Sequence, residues 1–120
     1  MKERRVVIVM SRCSGTRASF GIRLERQPDG LWLATWAFAI KDDVARREGF
    51  DRTKTAGRFG TDPAYPGCPH CGRKGFFKCG RCERVSCWGG DRAIAVVCPW
   101  CKYRGKVEGE IRDLAAGGDA

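Results

Sequence analysis

The sequence predicts a small, mainly β protein with one short helix: a three-stranded antiparallel N-terminal sheet followed by a zinc-ribbon-like, metal-stapled C-terminal part. Three observations carry this reading. Apolar residues alternate with polar ones through the first forty positions; seven of the eight cysteines fall in the 34 residues from Cys68 to Cys101; and 120 residues (13.3 kDa) can bury only a modest core.

The first strand is read in "RVVIVM". Its apolar run, Val6 to Met10, is too short for the hydrophobic region of a secretion signal, and no segment approaches the roughly 20 apolar residues of a transmembrane helix. The expectation is a cytoplasmic chain with no membrane partner. In "SFGIRLER", Phe20, Ile22 and Leu24 alternate with Gly21, Arg23 and Glu25, a strand with one buried face. In "LWLATWAFAI", unbroken alternation puts Trp32, Ala34, Trp36, Phe38 and Ile40 on one face, read as core, and Leu31, Leu33 and Ala37 on the other. "QPDG" between the two supplies the hairpin turn.

"KDDVARREGF" predicts a two-turn helix capped by Asp42 or Asp43, with Arg46 and Arg47 near its negative end and Gly49 stopping it. From Asp51 to Gly67 the composition turns to Thr, Gly, Pro and Asp and reads as a loop into the cysteine cluster. The units are residues 1–60, 61–106 and 107–120, expected to pack as one body. "LAAGGDA" at the C-terminus carries too little apolar surface to hold itself down and is expected to fray.

In a reducing cytoplasm, clustered cysteines are metal ligands or catalysts more often than crosslinks. Cys68-Pro-His-Cys71 and Cys98-Pro-Trp-Cys101 have the form of zinc knuckles, turns that aim two sulfurs at one ion while backbone amides stabilise the thiolates. With 26 residues between them they are read as one four-sulfur site. Cys79, Cys82 and Cys87 then supply three ligands to a second ion, the fourth being Cys13 or His70; eight cysteines equal two four-sulfur sites, which favours Cys13. The alternative pairs Cys68 and Cys71 with Cys79 and Cys82 and leaves Cys87, Cys98 and Cys101 to share the second ion. Either way the cofactor is zinc, two ions in full and one at least.

Catalysis is not expected. Cys-Pro-His-Cys also occurs at thiol oxidoreductase active sites, but two glycines and two adjacent aromatics follow it here where a helix should begin. Zinc hydrolysis needs an open coordination position, usually with His or carboxylate ligands; this chain has one histidine, and an all-thiolate zinc is coordinatively closed. Phosphate-binding and nucleophile motifs are absent. The formal charge of +9 falls to about +5 once two four-thiolate zinc sites are counted, and the basic residues are spread along the chain.

The run "WAFAIKDDVARREGFDRTKTAGRFGTDPAYPGCPHCG", with "FFKCGRCERVSCW" and "CPWC" after it, resembles the TerY C-terminal metal-binding domain of bacterial tellurium-resistance and related stress-response systems, a likeness running from about Val6 to Gly105. The resemblance implies metal roles for Cys68, Cys71, Cys79, Cys82, Cys87, Cys98 and Cys101. It implies an adaptor in phosphorylation-linked signalling whose partners include a von Willebrand A module protein, a kinase or a phosphatase. The chain departs from the pattern at Lys102, where a knuckle glycine is expected, and "VVIVMSRCSGT" lacks the Asp-x-Ser-x-Ser signature of a von Willebrand A metal site. Trp88 and Trp100, beside ligands, are candidates for a recognition surface or for lids over the metal. Arg73, Lys74, Lys78, Arg81 and Arg84 around Phe76 and Phe77 suggest, as the alternative function, a nucleic-acid-binding ribbon.

Overall fold

The computed structural model describes residues 6–50 and 52–117; Arg5, Asp51 and residues 118–120 of the expected strand, loop and tail lie outside the described residues. Strands β1 (Val6–Arg12), β2 (Ser19–Arg26) and β3 (Leu31–Ala39) form the expected antiparallel meander. Val7, Val9 and Ser11 stand opposite Leu24, Ile22 and Phe20, so one buried face runs across both strands. Gly30 closes the turn at φ 89°, a conformation that costs a residue without a Cβ nothing.

The aromatic stripe of β3 is interrupted. Ala34 pairs with Leu24 and Trp36 with Arg23, which leaves Thr35 as a bulge whose Oγ1 accepts a hydrogen bond from Arg23 at 3.2 Å. One extra residue reverses the alternation, so Trp32 and Ala34 point inward, then Ala37, while Trp36 turns out to solvent with 55% of its surface exposed. Phe38 lies across Gly21, where a Cβ would stand 2.5 Å from the ring.

Helix α1 (Asp42–Glu48) ends at Gly49 as expected, but its N-cap is Lys41 and no side chain caps it. The Asp42 carboxylate is drawn elsewhere: it accepts from the Ser19 hydroxyl and from Arg12 Nη2 at 3.0 Å, tying the helix to β2 and β1.

The segment read as a loop contains β4 (Thr53–Ala56) and β5 (Arg58–Thr61), the latter parallel to β3. In the cysteine-rich part, β6 (Gly75–Lys78) and β7 (Val85–Trp88) form a hairpin, and β7 lies parallel to β1. The result is a six-stranded sheet in the order β5-β3-β2-β1-β7-β6, running through both halves of the chain. A short pair, β8 (Val96–Val97) and β9 (Arg104–Gly105), carries the last knuckle.

The tail corrects its expectation. Strand β10 (Asp113–Ala116) pairs with β4, and Gly117 exchanges backbone bonds of 2.7 and 2.9 Å with Ile8. Leu114 and Ala116 are few, but alternate spacing places both inward, and both are buried. One buried cluster gathers Val7, Phe20, Trp32, Tyr65, Leu114 and the sulfurs of Cys13, Cys68 and Cys87; another gathers Phe77, Cys79 and Cys98, with Trp88 and Trp100 packed on it.

Leu114→Ala should therefore cost about 2–5 kcal/mol in urea unfolding of the metal-loaded protein. Trp36→Ser should stay within about 0.5 kcal/mol. A neutral Leu114→Ala would mean that β10 does not contribute to the core.

Candidate metal centres

Four turns in the chain share one backbone design. At Cys13, Cys68, Cys79 and Cys98 the cysteine N–H donates to the carbonyl five residues on, at Ala18, Arg73, Arg84 and Tyr103, over 2.8–2.9 Å. In each turn the N–H four residues on, at Arg17, Gly72, Glu83 and Lys102, returns to the cysteine carbonyl at 2.8 Å. The returning residue is left-handed every time, with φ of 68°, 81°, 62° and 69°. Three of the four therefore bear a side chain in a conformation that favours glycine, so Lys102 adopts the knuckle turn despite its Cβ. The turn aims backbone amides at the leading sulfur, among them Thr16 to Cys13, His70 to Cys68 and Arg81 to Cys79, all at 3.4 Å.

The eight sulfurs form two groups that could each hold a metal ion. Cys13, Cys68, Cys71 and Cys87 make centre 1; Cys79, Cys82, Cys98 and Cys101 make centre 2. Within each group the ligand atoms lie within 4.8 Å of one another. Cys71 and Cys87 are 3.6 Å apart, Cys79 and Cys101 3.7 Å, and Cys82 and Cys98 3.6 Å. Four sulfurs at about 2.3 Å from a tetrahedral zinc stand about 3.8 Å apart, whereas a disulfide needs about 2.05 Å. All eight cysteines are free, and their spacing fits the ion.

Both anticipated pairings are thereby corrected, although the same eight cysteines remain. The four extended residues of β6 carry the chain about 13 Å between the Cys68–Cys71 and Cys79–Cys82 knuckles, too far to share an ion. Strand β7 then returns alongside β6 and sets Cys87 opposite Phe76, near the first knuckle. The parallel register of β1 on β7, Ser11 with Val85 and Arg12 with Ser86, brings Cys13 level with Cys87. Centre 2 is left with two complete knuckles, Cys82 and Cys98 being 16 positions apart.

His70 belongs to neither group. Its Nε2 lies 2.9 Å from the Ser19 carbonyl and its ring meets Phe20 edge-on. Sequence reasoning missed Ser14, whose N–H donates to Cys87 Sγ at 3.2 Å and whose hydroxyl donates to the Cys87 carbonyl at 2.7 Å. It also missed Thr16. The available signal was the Cys-x-x-Thr spacing of "CSGT", a knuckle lacking its second sulfur.

Trp88 and Trp100 pack against centre 2. The Trp100 indole N–H donates to the Val85 carbonyl at 2.8 Å, with the guanidinium carbons of Arg12 and Arg84 at 3.9 and 4.5 Å from the ring centre. Arg81 lies over Tyr103 in the same way. Arg73 donates to Cys71 Sγ at 3.1 Å, and Lys74 to the Tyr65 carbonyl.

Without an ion the sulfurs do not ionise together. Burial pushes the thiols of Cys68, Cys82, Cys87 and Cys98 up, Cys82 to about 12. Burial also opposes ionisation at Cys13 and Cys79. There it is outweighed, by the Thr16 hydroxyl and the Thr16 and Gly15 amides in one case and by the Cys82 and Arg81 amides in the other, which hold the two thiols at about 6 and about 7. At neutral pH each centre thus offers one low thiol and keeps at least two protonated. A raised thiol pKa means a proton held at neutral pH that metal must expel, so lower pH opposes binding. Affinity should fall by at least about a hundredfold per unit of pH decrease around neutrality, measurable by chelator competition; a flat profile would exclude thiolate ligation.

Among the described residues no helix is long and apolar enough to cross a membrane. No family model, curated protein or solved structure matches the chain.

Proposed function

We propose that the chain is a non-catalytic zinc module, held together by two ions in sulfur-only sites, that serves as a protein-interaction adaptor in the cytoplasm. The observation that carries the metal part is the convergence of eight sulfurs into two tetrads at tetrahedral spacing. Zinc follows from ligand softness and number. Four thiolates leave a tetrahedral zinc no position for substrate, and His70, the one imidazole, faces a backbone carbonyl, which supports a structural role.

The stress-response setting, and a von Willebrand A module protein, kinase or phosphatase as partner, rest on the resemblance of the cysteine-bearing segments to the tellurium-resistance domain. Trp36, 55% exposed, and Tyr103, 49% exposed, suit a recognition surface better than Trp88 and Trp100, which are packed on centre 2.

The nucleic-acid reading loses its main support. Phe77 is buried and Phe76 packs against the core, so neither offers a face to a base. Lys78 is paired with Asp113 at 2.7 Å and Glu83 at 3.5 Å, while Arg73 and Lys74 are engaged within the fold.

Native mass spectrometry of protein purified from a reducing cytoplasm tests the reading. The expected mass is the chain plus two zinc ions, in a colourless solution. The bare chain mass, or visible absorption from iron, would overturn it.

A further inference from the structure

We infer that residue 16 stands where each of the other three turns carries its second sulfur, that Thr16 leaves this turn without one, and that Cys87 supplies the missing ligand of centre 1 from the sheet. The inference rests on the metal-module reading above and goes beyond it in assigning Thr16 and a division of roles among the sulfurs.

The four turns coincide in both closing hydrogen bonds and in the left-handed residue, so their fourth positions are equivalent in backbone geometry. At three of them that position is Cys71, Cys82 or Cys101, each a member of a tetrad. At the remaining turn it is Thr16. Residue 16 is at the sulfur cluster already, since its amide donates to Cys13 Sγ at 3.4 Å. A cysteine there would complete a two-knuckle site of the kind that forms centre 2.

Cys87 has a different origin. It lies inside a strand, opposite Phe76, one residue beyond the Arg12–Ser86 pair of β1 and β7, as Cys13 is on the β1 side. No knuckle turn surrounds it. Ser14, inside the incomplete turn, contributes the amide that its sulfur lacks locally. The exchange has a consequence. A site made only of the Cys13 and Cys68 turns would hold two loops together, whereas the site with Cys87 also fastens the β6–β7 hairpin to the meander, where the β1–β7 register is only two residue pairs long.

The test is a ligand transplant read by native mass spectrometry and cadmium-113 NMR, in which four-sulfur sites resonate downfield of three-sulfur sites. Wild type should bind two ions and Cys87→Ser one. The double variant Thr16→Cys/Cys87→Ser should return to two, both with the four-sulfur signature, while amide exchange in β7 speeds up relative to wild type because its anchor has moved. A double variant that stays at one ion, or regains the ion with β7 protection unchanged, overturns the inference. Should Cys87→Ser fail to fold, single Thr16→Cys keeps every native ligand. It should bind two ions and leave Cys87 alkylatable in part of the population; label confined to position 16 would overturn the proposal. Wild type without metal would instead sink the metal-module reading itself, so the two failures are distinct.

Discussion

The gathering of eight cysteine sulfurs into two tetrads, each able to hold a metal ion, is the constraint on which the rest of the structure depends. Four sulfurs must stand within a few ångströms of one another although burial holds some of them, Cys68 and Cys87 in centre 1 and Cys82 and Cys98 in centre 2, against carrying charge. A divalent ion in each tetrad would resolve both demands together, and a structural zinc site contributes about 10–16 kcal/mol in small peptides, comparable to the whole stability of a domain. Without that term, the second half of the chain would hold β6 and β7 by four residue pairs, β8 and β9 by two, and little apolar surface.

The two centres do different work because their sulfurs come from different places. Centre 1 draws on the turn after β1, the knuckle before β6 and the middle of β7, and three of its cysteines, Cys13, Cys68 and Cys87, belong to the same buried cluster as Phe20, Trp32 and Leu114. It is part of the main core. Centre 2 closes a local lobe between the β6–β7 turn and the β8–β9 pair. The Trp100 N–H on the Val85 carbonyl, and the Arg12 and Arg84 guanidiniums over its ring, fix that lobe to the sheet.

Much of this was legible in the sequence where the signal is local. A short apolar run located β1, period-two patterning located β2 and β3, Pro28 to Gly30 located the turn between those two, and the cysteine spacings located two of the four knuckles. What escaped depends on contacts distant in the chain. The bulge at Thr35, which turns Trp36 outward, is visible only against Arg23 and Leu24 of the neighbouring strand. Strand β5 draws its definition from β3, and β10 from β4. The grouping of the sulfurs follows from the length of β6 and the register of β1 on β7, so counting residues between cysteines could not supply it. Lys102, Glu83 and Arg17 in left-handed conformations show why a rule requiring glycine there undercounted the turns.

The most direct measurement is zinc-edge X-ray absorption on protein purified under reducing conditions. The expected spectrum is fitted by four sulfur neighbours per zinc at about 2.3 Å, with no nitrogen or oxygen neighbour, since His70 and Thr16 are both outside the tetrads. A nitrogen or oxygen neighbour at about 2.0–2.1 Å, or no zinc edge from folded protein, would contradict it.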